Sequence, residues 1–354
     1  MAGTHFKQLH ALPILLLGLL LQPCFIVQAS AECGSKSKSF RGCHDEAETL
    51  KLKLIAIFSI LVTSMIGVCL PLFSRAVPAL RPDGDLFALV KAFASGVILA
   101  TGYMHVLPDS FNDLTSDCLP ETPWRKFPFT TFVAMLSALL TLMVDSVALS
   151  HYKKRFAELA TGNGEQANQE TVEMEIVGHG HDKSGKEHPE DGTHLLRHRV
   201  VAQVLEMGIV VHSVVIGLSM GASDNPCTIR PLIAALCFHQ LFEGMGLGGC
   251  ILQAEYGIKM KEVMVFFFSI TTPFGISLGI GLSNIYSAKS RTALIVEGVL
   301  NAASAGLLNY MALVDLLASD FMGSRLQNSL KLQIWSFIAV LLGAGGMSLM
   351  AKWA

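Results

Sequence analysis

The chain has 354 residues, of which 51% are hydrophobic and 15% are charged, with a mean hydropathy of +0.50. Soluble globular domains carry about 25% charged residues, so this composition excludes an ordinary soluble domain and indicates several membrane spans. The formal net charge of -2 gives no basis for nucleic-acid binding.

The N-terminus has the pattern of a secretory signal peptide. Lys7 supplies the basic end, Leu12–Leu21 the apolar run, and Ala29-Ser30-Ala31 a small-residue cleavage site. An uncleaved anchor is the alternative, although the apolar run is short for a membrane span. We expect residues 1–31 to be removed and residues 32–53 to form an extracellular tail.

Eight apolar stretches follow, each close to the roughly 20 residues that cross a bilayer. They predict an all-α membrane protein with eight transmembrane helices in a 3+2+3 arrangement, three within residues 54–150 and five within residues 201–354. Polar or ionisable residues interrupt the second, fourth, fifth and seventh stretches, so we expect the functional residues there. The stretches are Leu54–Phe73, Leu86–Leu107, Phe129–Ser150, Val201–Ser219, Pro231–Gln253, Val263–Tyr286, Ala293–Ala318 and Leu332–Ala351.

Charge in the connecting loops predicts the orientation. Lys153, Lys154 and Arg155 follow the third stretch and favour a cytosolic position for that loop. Lys289 and Arg291 would lie outside in this orientation and so favour the opposite one, but the balance of basic residues fits an extracellular N-terminus. Eight crossings then return the C-terminus to the outside, and the exported N-terminus favours the plasma membrane.

Residues 151–200 form the longest polar connection, and we expect a cytosolic, His-rich, disordered loop there. It contains the pair His179 and His181. Such tracts can bind metal loosely, and the alternative is a solvated linker in which the histidines occur by chance.

The cysteines give no thiolate zinc motif, because no C-x-x-C occurs. We expect Cys33 to pair with Cys43 in the exported tail, and Cys118 to lie outside as an odd cysteine. The cysteines in or beside apolar stretches, among them Cys227, are predicted to be packing residues.

Two apolar stretches carry the same H-x4-G-x3-G pattern, beginning at His212 and at His239, 27 residues apart. His239 and Glu243 are four residues apart and therefore share a helical face. Imidazole and carboxylate together indicate a divalent transition metal, whereas the alternative is a histidine–glutamate hydrogen bond inside a bundle. The glycines of the two patterns predict a close approach of the two helices, which would bring both histidines onto one ion.

A further His/Asp pair, His105 and Asp109, lies at the outer end of the second stretch. If the helix continues past Pro108, Asp109, Asp113 and Asp117 line one face at an acidic mouth that attracts cations. The alternative for the last two is a solvated acidic turn.

Three other features stay open at this point. Pro273 should break its helix, as a hinge or as a static kink. Glu206 and Glu297 either take part in proton movement or form hydrogen bonds inside the bundle. Asp145 and Asp315 lie near the inner ends of their helices, where we expect them to contact only water.

The segments Phe93–Phe111, His212–Gly221 and His239–Gly248 together resemble the ZIP metal transporters of the plant branch. The resemblance implies eight helices, an inner bundle of the second, fourth, fifth and seventh, and uptake of Zn²⁺ or related ions toward the cytosol by a homodimer. The motif residues carry over to His212, Ser213, His239, Glu243, His105 and Asp109 as metal ligands.

Two positions depart from the pattern that the resemblance implies. Ile216 stands where many such proteins have Glu, and Gln240 stands where an acidic residue can occur. We therefore expect one principal ion rather than a two-metal centre. Asn112 stands where iron-transporting relatives tend to have Glu, which favours zinc.

The sequence thus predicts a bilayer-embedded Zn²⁺ transporter, with Fe²⁺, Mn²⁺ and Cd²⁺ as further candidate ions. It is not expected to be an enzyme or to hold a cofactor, because Zn²⁺ is the transported substrate. The alternatives are an intramembrane zinc-dependent hydrolase and a metal-sensing receptor. A hydrolase needs an open water position and a general base, and no H-E-x-x-H occurs.

Overall fold

A computed structural model describes residues 46–73, 84–161, 189–282 and 290–351. Within these ranges there is no β-strand, and all eight predicted spans are helices long and apolar enough to cross a membrane. The prediction of an all-α integral membrane protein is confirmed. The helices are α1 (Glu46–Phe73), α2 (Asp85–Leu114), α3 (Phe129–Thr161), α4 (Pro189–Ala222), α5 (Pro226–Gln253), α6 (Ile258–Leu282), α7 (Arg291–Phe321) and α8 (Leu330–Ala351).

Several helices extend beyond their apolar runs. α1 begins inside the predicted tail, α3 runs on to Thr161, and α4 begins at Pro189, so both ends of the predicted loop are helical. Lys, Arg, Glu, Ala and Leu have high helix propensity, which explains why α3 continues into polar sequence. The predicted signal peptide, the Cys33–Cys43 pair and the histidines His179 and His181 lie outside the described residues.

Local capping fixes where two of the helices begin. The Asn225 side chain accepts a hydrogen bond of 3.0 Å from the Cys227 N–H, and Pro226 occupies the first turn of α5. The Ser290 hydroxyl accepts a hydrogen bond of 3.2 Å from the Ala293 N–H at the start of α7. Each cap satisfies a backbone donor that has no partner within its own helix.

The helices pack as two groups of four. In one group α1 lies along α5 and α4 lies along α6, and in the other α2 lies along α8 and α3 lies along α7. The α1/α4/α5/α6 group meets the α2/α3/α7/α8 group chiefly where α2 contacts α5 and where α4 contacts α7 and α3. The pairing is symmetric. If α1, α2 and α3 are exchanged with α6, α7 and α8 in that order, and α4 is exchanged with α5, each helix pair becomes another of the same four pairs. The 3+2+3 arrangement, which stays a prediction, requires such a pairing.

Glycine contacts bring α4 and α6 together at the level of the backbone. A methyl group built on Gly217 would lie 2.7 Å from the Thr272 carbonyl oxygen, and one on Gly279 would lie 2.5 Å from the Leu218 carbonyl oxygen. No side chain fits between such surfaces, so these positions set the distance between the two helices.

The glycines of α5 face α1 rather than α4. A methyl group on Gly244 would lie 2.8 Å from the Val68 backbone nitrogen, and Gly248 abuts the Val68 carbonyl oxygen. The prediction that the two glycine patterns join α4 to α5 is therefore wrong. Each histidine-bearing helix is anchored to a different neighbour, and that neighbour holds its histidine in place.

Two expectations about prolines have different outcomes. α2 continues past Pro108 to Leu114, as its acidic end requires. α6 also runs from Ile258 to Leu282 through Pro273, so the proline does not end the helix, and the expected hinge or static kink stays a prediction. Only one backbone hydrogen bond is lost at such a proline, and the Ser277 hydroxyl donates a 2.8 Å hydrogen bond to the Pro273 carbonyl.

The cysteines differ from expectation at Cys118, which was expected to be an odd, unpaired cysteine, and at Cys227, which was expected to be a packing residue. Cys118 and Cys227 are both disulfide-bonded, whereas Cys69, Cys237 and Cys250 are free thiols. Cys227 is therefore a cross-linked residue and not the predicted packing residue. Its position, at the exposed first turn of α5 rather than inside an apolar run, leaves it accessible to a partner.

The α4–α6 contact predicts a sharp difference between two glycines of α6. Gly279→Ala should destabilise the fold by about 1–3 kcal/mol, because the methyl group meets backbone that cannot yield. Gly281→Ala, with nothing within 4 Å of its added methyl group, is the matched control and should be neutral or slightly stabilising. Thermal unfolding of the purified variants measures both, and equal melting temperatures would contradict this packing.

Candidate metal centre

α4 and α5 bring three ionisable side chains together in the interior. His212, His239 and Glu243 each offer one ligand atom, and these atoms all lie within 4.8 Å of one another. The ring centroids of His212 and His239 are 5.9 Å apart. The side chains are 1%, 0% and 0% exposed, respectively. The predicted convergence of the two histidines and the glutamate is present in the structure.

None of these side chains has its polar atoms satisfied. Both nitrogens of each imidazole and both oxygens of Glu243 lack a hydrogen-bond partner among the described residues. The alternative of a His239–Glu243 hydrogen bond is therefore not what the structure shows. Unpartnered buried groups cost about 1–3 kcal/mol each, and more when charged, so this arrangement calls for a ligand. A divalent cation would satisfy all three side chains at once.

A third imidazole approaches from α2. The His105 ring centroid lies 6.2 Å from that of His239, and the His105 Nε2 atom has no partner within the described part of the chain. His105 belongs to a π-helical turn, Thr101–Val106, where Asn309 of α7 packs directly against Gly102. A π turn changes the phase of the residues that follow it and is frequent at functional sites. His105 thus comes from the group opposite to that of His212 and His239.

The neighbours of the histidines in sequence are also buried and unsatisfied. Ser213 is 1% exposed, and neither its hydroxyl nor the Gln240 Nε2 atom has a hydrogen-bond partner in the described ranges. Ile216 packs instead with the apolar cluster around Ile60 and Leu236, so α4 adds no carboxylate at that position. The two helices therefore contribute unequally to the centre.

The three acidic residues that were expected in a row at the C-terminal end of α2 have different surroundings. Asp109 is exposed, Asp113 accepts a hydrogen bond from Asn301 of α7, and Asp117 pairs with Arg125. The expected row of three carboxylates is wrong for Asp117, because α2 ends at Leu114. Asp109 follows the buried His105 by one turn of the same helix.

At the other end of α7, a second π-helical turn, Met311–Ala318, carries Asp315. Asp315 is 3% exposed, and both carboxylate oxygens lack a partner among the described residues. Tyr310 donates a 3.3 Å hydrogen bond to Asp145 of α3 nearby. The expectation that Asp145 and Asp315 reach only water is wrong for both, because Asp145 accepts this hydrogen bond and Asp315 is buried in the bundle.

Comparison with known proteins places this geometry in a family. The family described as "ZIP Zinc transporter" matches residues 50–351. "Fe(2+) transport protein 1" of Oryza sativa subsp. japonica is 63% identical, with 88% of this chain and 86% of that protein aligned. "Zinc transporter 7" of Arabidopsis thaliana is 58% identical over 92% of this chain and 91% of its own length. "Probable zinc transporter 10" of Arabidopsis thaliana is 55% identical, with 96% of each chain aligned. The chain belongs to the ZIP zinc transporter family.

Proposed function

We propose that this membrane protein takes up Zn²⁺ and Fe²⁺ toward the cytosol, and that the ion in transit is held by His212, His239 and Glu243. One observation carries the proposal. Three buried side chains on two membrane-spanning helices direct unpartnered donor atoms to within 4.8 Å of one another. Ionisable groups at such depth mark ion pathways in membrane proteins.

The donor set suits a borderline divalent cation. Imidazole nitrogens favour zinc, iron, copper and nickel, whereas carboxylates also accept harder ions such as Mn²⁺. We assign one principal ion, because Ile216 and Gln240 withhold the further carboxylates that a second ion requires. Ser213 completes the coordination from α4, and the metal is a substrate and not a resident cofactor.

The choice between zinc and iron draws on the relatives. A protein named for Fe²⁺ is 63% identical to this chain, and one named for zinc is 58% identical. An Asn rather than a Glu at position 112 favours zinc, but Asn112 is exposed near the outer end of α2 and lies outside the centre itself. We therefore propose both Zn²⁺ and Fe²⁺ as substrates, with Mn²⁺ and Cd²⁺ bound less well.

The cysteines and the loop charges support the orientation that we propose. Disulfides persist in oxidising compartments, and the disulfide-bonded Cys118 and Cys227 follow α2 and begin α5, at the same side of the membrane. We propose that this side is extracellular, at the plasma membrane, with both termini outside. An ion then enters past Asp109 and His105, reaches the centre, and leaves toward the end where α1, α3, α5 and α7 terminate.

The homodimer implied by the family resemblance is part of this proposal. α3 and α8 are the least buried spans, with 6% and 22% of their apolar windows buried inside the chain. They leave apolar faces for a second copy or for lipid. Native mass spectrometry of the protein released from nanodiscs distinguishes a dimer from a lipid-coated monomer.

Uptake of radioactive zinc into vesicles that hold the purified protein tests the proposed function. His212→Ala and His239→Ala should lower the apparent affinity for Zn²⁺ by about 100-fold or more, because each removes a direct ligand. Ser336→Ala, which alters a buried hydroxyl of α8 that is not among the candidate ligands, is the matched control and should leave uptake unchanged.

The same preparation separates the alternatives. A hydrolase would cleave peptide or lipid substrates in a Zn²⁺-dependent manner without accumulating metal in the vesicle lumen. A receptor would bind the metal without moving it. Wild-type uptake by both histidine variants would refute the assignment of the centre.

Because the polar atoms of the centre have no hydrogen-bond partners, we predict that the centre lowers the stability of the metal-free protein. Glu243→Met should raise the melting temperature of the metal-free protein, because an apolar side chain of similar length removes a buried carboxylate that has no partner. Zn²⁺ should stabilise the wild type against heat but not this variant. A thermal-shift titration with and without a chelator measures both effects, and a variant less stable than the metal-free wild type would contradict the account.

A further inference from the structure

Lys91 is a buried cation inside the membrane-spanning part of α2. Its side chain is 5% exposed, although it lies six residues, or roughly 9 Å, from the start of the helix. Its ammonium donates a 2.8 Å hydrogen bond to the Asp320 carboxylate and a 3.0 Å hydrogen bond to the Gln253 side-chain oxygen. Burial of a lysine ammonium at such a position is energetically unfavourable unless the charge is paired, and the two acceptors provide that pairing.

The two acceptors belong to different helix groups. Asp320 ends α7, in the same group as α2, whereas Gln253 ends α5, which carries His239 and Glu243. The Lys91–Gln253 hydrogen bond therefore ties the two groups together at one end of the bundle. Other hydrogen bonds near this end, from Arg325 to Asp85 and from Arg199 to the Ala254 carbonyl, stay within one group.

This tie lies on the way out of the metal centre. Cys250 is seven residues after Glu243 on α5, so it occupies nearly the same helical face about 10 Å further along. Cys250 is 3% exposed, and it lies three residues before Gln253, the α5 side chain that accepts the Lys91 hydrogen bond. An ion that leaves Glu243 along this face meets the Lys91 ammonium before it reaches solvent.

We propose that Lys91 is a gating residue, whose hydrogen bond to Gln253 closes the inner end of the metal route and must break for release. The assignment of this end to the cytosol rests on the proposed function, but closure of the end does not.

Native Cys250 reports the closure directly. In protein that carries Cys69→Ser and Cys237→Ser, a water-soluble maleimide should label Cys250 slowly in nanodiscs, where both faces are open to reagent. Gln253→Met keeps the Lys91–Asp320 pair and removes only the tie between the groups. It should raise the labelling rate about tenfold or more, the factor expected for loss of one charge-assisted hydrogen bond.

Three controls make the result decisive. Cys250→Ser gives the background, and Arg325→Met breaks an ion pair at the same end but within one group, so it should leave the rate unchanged. Lys91→Met, provided that it elutes as folded protein, should also accelerate labelling. A Gln253→Met rate equal to that of the wild type overturns the proposal, whether or not the vesicle experiment shows zinc uptake, because labelling requires no metal.

Discussion

The central constraint on this structure is that burying polar atoms without hydrogen-bond partners is energetically unfavourable, so the packing of the helices must offset that free energy. Two imidazoles and a carboxylate lie fully buried between α4 and α5, without hydrogen-bond partners in the described part of the chain. Such an arrangement persists only where the surrounding fold supplies the missing free energy. Here the eight helices supply it through backbone contacts at glycines, which hold α4 against α6 and α5 against α1. The same contacts hold the histidine-bearing helices in place, and the proposed cation would satisfy the unpartnered atoms.

The division into two helix groups gives the centre its mechanical setting. His212, His239 and Glu243 come from one group, whereas His105 approaches from the other. The Lys91–Gln253 hydrogen bond joins the same two groups at the end of the bundle where α5 terminates. The proposed metal coordination and the proposed closure would therefore act across one interface, and a change in the relative position of the groups would affect both.

Hydropathy and motif spacing were sufficient for the spans and for the residues that meet at the centre. The i, i+4 relation of His239 and Glu243 follows from helix geometry, and the repeated histidine marked α4 as its partner. The helix partners were not predictable, because a glycine pattern shows that a helix is approached closely but not by which neighbour. The burial of Asp315 and the two hydrogen bonds of Lys91 were also not predicted, since a π turn and a contact among three helices leave no periodic signal in the sequence.

X-ray absorption spectroscopy of the zinc-loaded protein tests the central claim most directly, because it reports the atoms bound to the ion. We expect two imidazole nitrogens and oxygen donors at about 2.0–2.1 Å, with the imidazole signal reduced in His212→Ala and in His239→Ala. A shell of oxygen atoms alone, a sulfur shell at about 2.3 Å, or spectra that both substitutions leave unchanged would contradict the account.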